Sequence, residues 1–400
     1  LVFINKNLSI LQAAKRLLIL SMKNVLLVSI ITVLSITSLK AQVQPNAPCD
    51  PKATKETRNL YNNMRQLVEK GIMYGHHDDT GYGVNWRLQA DSSDVKAVTG
   101  SYPAIYGWDL ARIEHDSTSD INGIPFETQR QLVKDAYQRG GVNTFCWHMD
   151  NPVNDKTAWD TTNNSVKDIL ADGEAHDKYV AYLKKAAKFI KSFKGDNGEA
   201  IPILFRPFHE LTGGWFWWGN KTTDPQDLIA IWRFTIDYLR KKEKVHNLLV
   251  VYSTADFNSP EDFMARYPGD DYVDLVGFDL YCTDNVPQFV QRLDKQLSIL
   301  QTVAAEHHKI ACVPETGYQS IPDANWWTGT LLPEIAKYKL SYLLTWRNGG
   351  LNHHFAPYPG QKSAADFVRF YNNPKVLFQD KLSPMGIYGK VLNTNDQTGH

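Results

Sequence analysis

Cysteine is scarce in this 400-residue chain, with single residues at positions 49, 146, 282 and 312. Four cysteines so far apart, three of them inside strand-like runs, exclude a fold built on a disulfide framework. A basic excess is lacking too, since 43 Lys and Arg meet 43 Asp and Glu. Without residues 1–41 the balance is 38 to 43, a net charge of about −5, so nucleic acid and other polyanions find no basic face. The longest apolar run, Val25 to Leu39, is about 15 residues, short of the roughly 20 a membrane-spanning helix needs. No Gly-rich phosphate turn follows an early strand, which removes the main mark of a doubly wound nucleotide-binding sheet. What remains is ordinary globular content, 43% hydrophobic and 22% charged, enough for one large or two medium domains.

The N-terminal apolar run follows Met22-Lys23-Asn24 and ends at Lys40-Ala41-Gln42, the layout of a secretory signal peptide. Met22 is therefore read as the start of translation and residues 1–21 as upstream sequence or a long n-region. Residues 22–41 form the expected signal, 42–54 a short linker and 55–400 a single domain exported to periplasm, cell surface or medium. Cys49 lies near the expected cleavage point, but Asn46-Ala47-Pro48 is a poor lead-in to a lipidation site.

Beyond a helical stretch from Lys55 to Lys70, strand-like runs recur at 72–77, 102–109, 142–149, 201–210, 248–255, 273–281, 309–317 and 341–348. Helical signals lie between them. Tyr179, Leu183, Ala186, Ile190 and Phe193 repeat at three-to-four spacing, as do Phe289, Leu293, Leu297, Leu300 and Ala304. Asp224-Pro225 and Ser259-Pro260 each offer a cap and a first-turn proline. Eight near-continuous apolar strands alternating with helices predict a parallel sheet closed into a (β/α)8 TIM barrel. Nearly every strand ends in a chemically capable residue: His76/His77, Asp109, His148, Glu210, Asp279/Tyr281, Glu315 and Trp346/Arg347. In a barrel these ends converge on one mouth, where active sites are built.

The stretch ILFRPFHELTGGWFWWG, residues 203–219, joins a strand to four consecutive aromatics, Trp215, Phe216, Trp217 and Trp218. Indoles cover the apolar C–H face of a sugar, though two of these four are expected to pack inward. Cleaving a glycosidic bond needs two carboxyl groups, one to protonate the leaving oxygen and one to attack the anomeric carbon or activate water. Glu210 and Glu315 supply such a pair from strands four and seven. Arg206 and the Tyr281 hydroxyl are available to hold Glu315 ionised as the nucleophile, while the charge on Glu315 would keep Glu210 protonated as the acid. Trp346 is a further candidate platform, with Trp159, Phe257, Trp326 and Trp327 more distant ones. The run GHHDD at 75–79 has metal-capable side chains, but neighbours on a strand point to opposite faces, so no metal and no cofactor is expected. His307 and His308 read as solvated residues closing a helix, and His353-His354 lies in the last loop.

With RPFHE followed by TGGWFWWG, then GFDLY, PETG and LTWRN, the chain resembles glycoside hydrolase family 26 over roughly residues 55–385. Most members of that family are secreted endo-β-1,4-mannanases on an eightfold barrel that needs no metal and retains anomeric configuration. The resemblance implies Glu210 as acid/base and Glu315 as nucleophile, Arg206 and His209 as the pair preceding the acid/base, and Trp215 as the indole lining the central subsites. His148, Asp279, Tyr281 and Trp346 match other residues around the reacting sugar. Many related barrel glycosidases carry Asn before the acid/base to bind the sugar 2-hydroxyl. Here His209 stands there, so it is expected to take part in recognising the axial 2-hydroxyl of mannose. The partner implied is β-mannan or manno-oligosaccharide, taken by a monomer, with possible release of mannobiose. A β-glucanase or xylanase on the same scaffold, or a barrel that only binds polysaccharide, are the competing readings.

Overall fold

The computed structural model describes residues 47–390, apart from positions 163 and 284. The expected signal segment and the last ten residues lie outside the described residues. Eight strands form the barrel: β1 (Ile72–His77), β2 (Ile105–Asp109), β3 (Val142–Cys146), β4 (Ile203–Arg206), β5 (Leu248–Thr254), β6 (Leu275–Cys282), β7 (Ile310–Tyr318) and β8 (Tyr342–Thr345). Each pairs in parallel with the next, and β1 closes onto β8 with His76 opposite Thr345. A short strand, Val376–Leu377, adds to the start of β1.

Neighbouring residues along a strand face opposite cores. Met73, Ile105, Leu204, Val251, Cys312 and Leu344 belong to one apolar cluster, together with Leu60, Met64 and Leu67 of the helix Lys55–Leu67. Tyr74, Tyr106, Phe205, Val250, Val276 and Val313 belong to the other, beneath the outer helices. Burial on both faces is why these strands read as continuous apolar runs rather than alternating ones. A helix forms at each stretch whose spacing or cap predicts one. Thr54 caps Lys55–Leu67 by accepting from Thr57 N–H, Ser259 caps Pro260–Met264 through Asp262 N–H, and Asn285 caps Val286–Glu306 through Gln288 N–H. Pro225 opens Pro225–Asp237, although Asp224 makes no side-chain cap bond. Six helices had no strong signal in the sequence: Asp94–Thr99, Phe126–Gln138, Ser165–Leu170, Leu332–Ile335, Ala364–Asn372 and Gln379–Leu382.

Cys49 to Thr54, within the stretch expected to be a linker, are tied to the barrel. Cys49 N–H donates to Asp274 Oδ1 at 2.6 Å, and Thr54 N–H to the His246 carbonyl at 2.9 Å. Among the described residues no helix is long and apolar enough to cross a membrane.

Three strands stop well short of their expected ends. β3 ends at Cys146, β4 at Arg206 and β8 at Thr345, so His148, Glu210 and Trp346 sit just beyond the ladder rather than on it. The backbone must leave the sheet there. Glu210 adopts φ +52°, a left-handed conformation no strand residue takes and one that costs a non-glycine residue about 1 kcal/mol. On β7 the irregularity is a bulge. Gly277 faces Cys312 and Asp279 faces Glu315, so β7 carries one extra residue between these pairs, at Val313-Pro314. Proline has no N–H to give a ladder, which suits it to a bulge. Gly277 is required opposite, because a Cβ there would come within 2.7 Å of Pro314 Cδ. The bulge brings Glu315 level with Asp279 at the mouth.

Candidate active site

The mouth of the barrel holds a buried cation shared by two carboxylates. Arg206, at the end of β4, is 2% exposed and donates through Nη1 to Glu315 Oε1 at 2.8 Å and through Nη2 to Asp279 Oδ2. Ser253 on β5 completes the set, accepting from Arg206 Nη2 at 3.3 Å and donating to Asp279 Oδ1 at 2.9 Å. The Tyr281 hydroxyl donates to Glu315 Oε2 at 2.8 Å. Burial, then the charge of Glu315, pushes the Tyr281 phenol well above its ordinary range, so it remains a neutral donor. Both oxygens of Glu315 thus accept hydrogen bonds, which suits an ionised carboxylate held ready to attack.

Glu210 enters from the loop after β4. One of its carboxyl oxygens lies within 4.8 Å of one oxygen of Glu315 and one of Asp279. Burial and the negative Glu315 push it up to about 7, against the lowering effects of the Trp215 indole, His148 and Arg206. The Trp215 Nε1–H donates to Glu210 Oε2 at 2.6 Å. Two carboxyl groups this close, one paired with a guanidinium and one pushed towards its protonated form, have the contrasting environments that acid and nucleophile chemistry requires.

The four aromatics divide three to one rather than two to two. Phe216, Trp217 and Trp218 are buried, with Trp217 Nε1–H on the Met149 carbonyl and Trp218 Nε1–H on the His209 carbonyl, both at 2.9 Å. Trp215 alone is open, 43% exposed. A row of consecutive aromatics turns with the chain, so only the one at the outside of the turn reaches the cleft. Trp159 belongs beside the site rather than at a distance: it is 48% exposed and stacks on the His148 ring at 5.1 Å. Trp346 stacks on His77 at 4.1 Å. Trp326 and Trp327 are instead buried in the outer layer, Trp327 against Phe367 and Tyr74, and Phe257 is buried against Phe263 and Phe278. None of these three is a platform.

His148 and His209 meet each other. His148 Nδ1 lies 2.5 Å from Asp109 Oδ2, and its Nε2 lies 3.1 Å from His209 Nε2. His209 is 1% exposed, and its Nδ1 is buried without a partner. His148 thus takes one of the two ring nitrogens of His209 and leaves the other, Nδ1, for a group that the described residues do not supply.

The GHHDD run is spent on separate partners rather than on one shared site. His76 pairs with Asp79 at 2.8 Å and with Asn348, His77 lies under Trp346, and Asp78 accepts from Tyr82 and Asn122. Glu210, Asp279 and Glu315 could face a cation with three oxygens, but Arg206 already supplies positive charge to two of them. His307 pairs with Asp270 at 3.0 Å, and His354 is buried against Tyr358. Residue-by-residue reasoning passed over Ser253, whose only signal was a hydroxyl at the end of an apolar strand, and Phe355, which meets Tyr281 edge-on at 5.5 Å from the last loop.

A family model described as glycosyl hydrolase family 26 matches residues 49–371. A mannan endo-1,4-beta-mannosidase of Bifidobacterium adolescentis is 30% identical over 359 residues, covering 83% of this chain and 35% of that protein. A Bacillus subtilis protein of the same description is 30% identical over 272 residues, 64% of this chain and 72% of the relative. The chain thus spans about a third of the Bifidobacterium protein and most of the Bacillus one. Among solved structures, a GH26 beta-mannanase from Bacteroides ovatus is 40% identical with a TM-score of 0.81, covering 87% of this chain and 100% of that one. An endo-beta-1,4-mannanase from Cellulomonas fimi is 30% identical with a TM-score of 0.79, covering 86% and 80%.

Proposed function

The chain belongs to glycosyl hydrolase family 26, and from that premise we propose that it is a retaining glycoside hydrolase that cleaves β-1,4-mannosidic bonds of mannan, glucomannan or galactomannan. The observation that carries the reading is the pair Glu210 and Glu315, with oxygens inside 4.8 Å and opposite electrostatic surroundings. The retaining geometry has carboxyl groups about 5 Å apart, whereas inversion needs about 6.5 Å or more to admit a water. Glu315, oriented by Arg206 and Tyr281, attacks the anomeric carbon while Glu210 delivers its proton to the departing oxygen. Glycosylation neutralises Glu315. The repulsion that kept Glu210 protonated then disappears, so Glu210 becomes the base that activates water for the second displacement. Trp215, whose ring is exposed and whose N–H is fixed on Glu210, offers a stacking face next to the leaving group. His148, His209, Asp279 and Trp346 support or border the reacting sugar.

In this reading the protein is exported by a signal at about 22–41 and acts on polysaccharide outside the cytoplasm, residues 55–400 forming one catalytic domain and the chain working as a monomer. Release of reducing ends from galactomannan, glucomannan, xylan and mixed-linkage glucan tests the substrate. Cleavage of the mannans is expected. Preference for xylan or glucan would reassign the specificity, and no release from any of the four would make the protein a binder. NMR of the first-formed anomer on a manno-oligosaccharide should show β product; α product would refute retention.

A further inference from the structure

We infer that Asp109, which is fully buried at the end of β2, is a positioning residue for Glu210, acting through an ordered chain of protons that runs from its carboxylate across His148 to His209. The inference rests on the reading of Glu210 as the acid/base.

Asp109 Oδ1 accepts two backbone N–H groups, from Ala111 at 2.8 Å and His148 at 3.1 Å. Oδ2 is left for His148 Nδ1. An ionised carboxylate only accepts, so His148 Nδ1 must carry a proton. The contact between His148 Nε2 and His209 Nε2 needs one further proton between two nitrogens. Burial opposes charging of both rings. For His148 that opposition is outweighed by Asp109, Glu315 and Glu210, and the net shift is upward; His209, facing His148, Arg206 and His77, is driven well down. The shared proton therefore sits on His148, giving carboxylate, imidazolium and neutral imidazole in order. The charged or titratable groups around His148 are Asp109 from β2, His77 from β1, Cys146 from β3 with its Sγ 3.9 Å from His148 Nδ1, His209 and Glu210 from the loop after β4, and Glu315 from β7.

The chain reaches Glu210 in two ways. His209 is the residue before it, and Glu210 holds a left-handed backbone that needs support. His209 is pinned at its side chain by His148 and at its carbonyl by the Trp218 indole. The positive His148 also restrains the rise in the proton affinity of Glu210.

Asp109→Asn tests this. The two backbone N–H groups hold the amide oxygen at the Oδ1 position, so the NH2 faces His148 Nδ1, which must then present a lone pair. His148 becomes neutral, protonated only at Nε2. The expected result is a fall in kcat of about a hundredfold or more with KM changed much less, the pattern of a histidine held in the wrong protonation state. The alkaline limb of kcat/KM should also move up by about half a pH unit or more, because Glu210 has lost a nearby cation. Wild-type kcat, or a lowered kcat with the limb unmoved, overturns the proposal. Nitrogen-15 NMR of the wild-type imidazoles gives a reading that does not depend on the variant folding. At pH 6, His148 should carry protons on both nitrogens and His209 on Nδ1 alone. A bare His148 Nδ1, or a cationic His209, refutes the proton order. Failure of the wild-type chain to hydrolyse any mannan would remove the functional reading, whereas the nitrogen signals test the proton chain without turnover.

Discussion

Replacing Glu315 by Gln should lower the proton affinity of Glu210. The two carboxyl groups have oxygens within 4.8 Å. At that distance and an effective dielectric of about 20, two unit charges repel by about 3.5 kcal/mol, equivalent to about 2.5 pKa units. The real effect is smaller, because Glu315 is buried while Glu210 is part-exposed to the watery cleft, and about 1 to 1.5 units is expected. Glu210, pushed up to about 7 with Glu315 charged, should therefore titrate between about 5.5 and 6 in Glu315→Gln. The residual elevation reflects burial, the larger of the two causes. A carbon-13 titration of labelled glutamate side chains in both proteins, assigned with Glu210→Gln, reads the shift directly. A change below about 0.3 units, or one in the upward direction, would refute the account of how Glu210 changes from acid to base, since the glycosyl-enzyme removes the same charge.

In the wild-type protein kcat/KM should fall as pH rises through about 7, because the proton-donating form of Glu210 is lost there. A raised carboxyl pKa favours the fold below the unfolded value of 4.5, and that contribution is lost as pH rises through about 7. Glu210→Gln should accordingly be more stable than wild type at pH 8 by about 1 to 2 kcal/mol and show little gain at pH 4, measured by urea unfolding. Trp215→Ala should reduce kcat/KM on manno-oligosaccharides by about seventyfold, from about 100 Å² of lost stacking area at about 25 cal/mol per Å², as steady-state kinetics would show. Arg206→Met leaves Asp279 and Glu315 buried without their cation and should cost about 3 to 5 kcal/mol of stability in the same unfolding assay. Glu315→Ala should lose turnover, and azide should restore part of it on an activated substrate with an inverted glycosyl azide as product, detected by NMR.

The eight strands and the barrel they form were legible because burial on both faces writes a long apolar run, and the polar residue closing each run marks the mouth. The long helices Glu174–Lys191 and Val286–Glu306 carried periodicity, and the short Pro260–Met264 carried its Ser259-Pro260 cap. Asp94–Thr99 and Ser165–Leu170 are each six residues, too short for a period to register. Glu210 and Glu315 were visible as carboxylates next to a strand, and Arg206 as a cation within reach.

How these residues meet depends on the folded chain. The bulge at Pro314 that levels Glu315 with Asp279 depends on pairing between strands, and no local propensity announces it. The exposure of Trp215 and burial of its three aromatic neighbours follow from the direction in which the loop turns. Trp159, far from the catalytic pair in sequence, reaches His148 because the loop after β3 folds back over the mouth. His148 and His209 are 61 residues apart, and each reads alone as a ligand for sugar; their shared proton exists only because β3 and β4 are neighbours. Apolar patterning along the chain sets which strands form and which polar residues stand at their ends, two glutamates among them. Distances between strand ends then decided which of those groups hold charge, because electrostatic coupling falls with separation in space and is indifferent to separation along the chain.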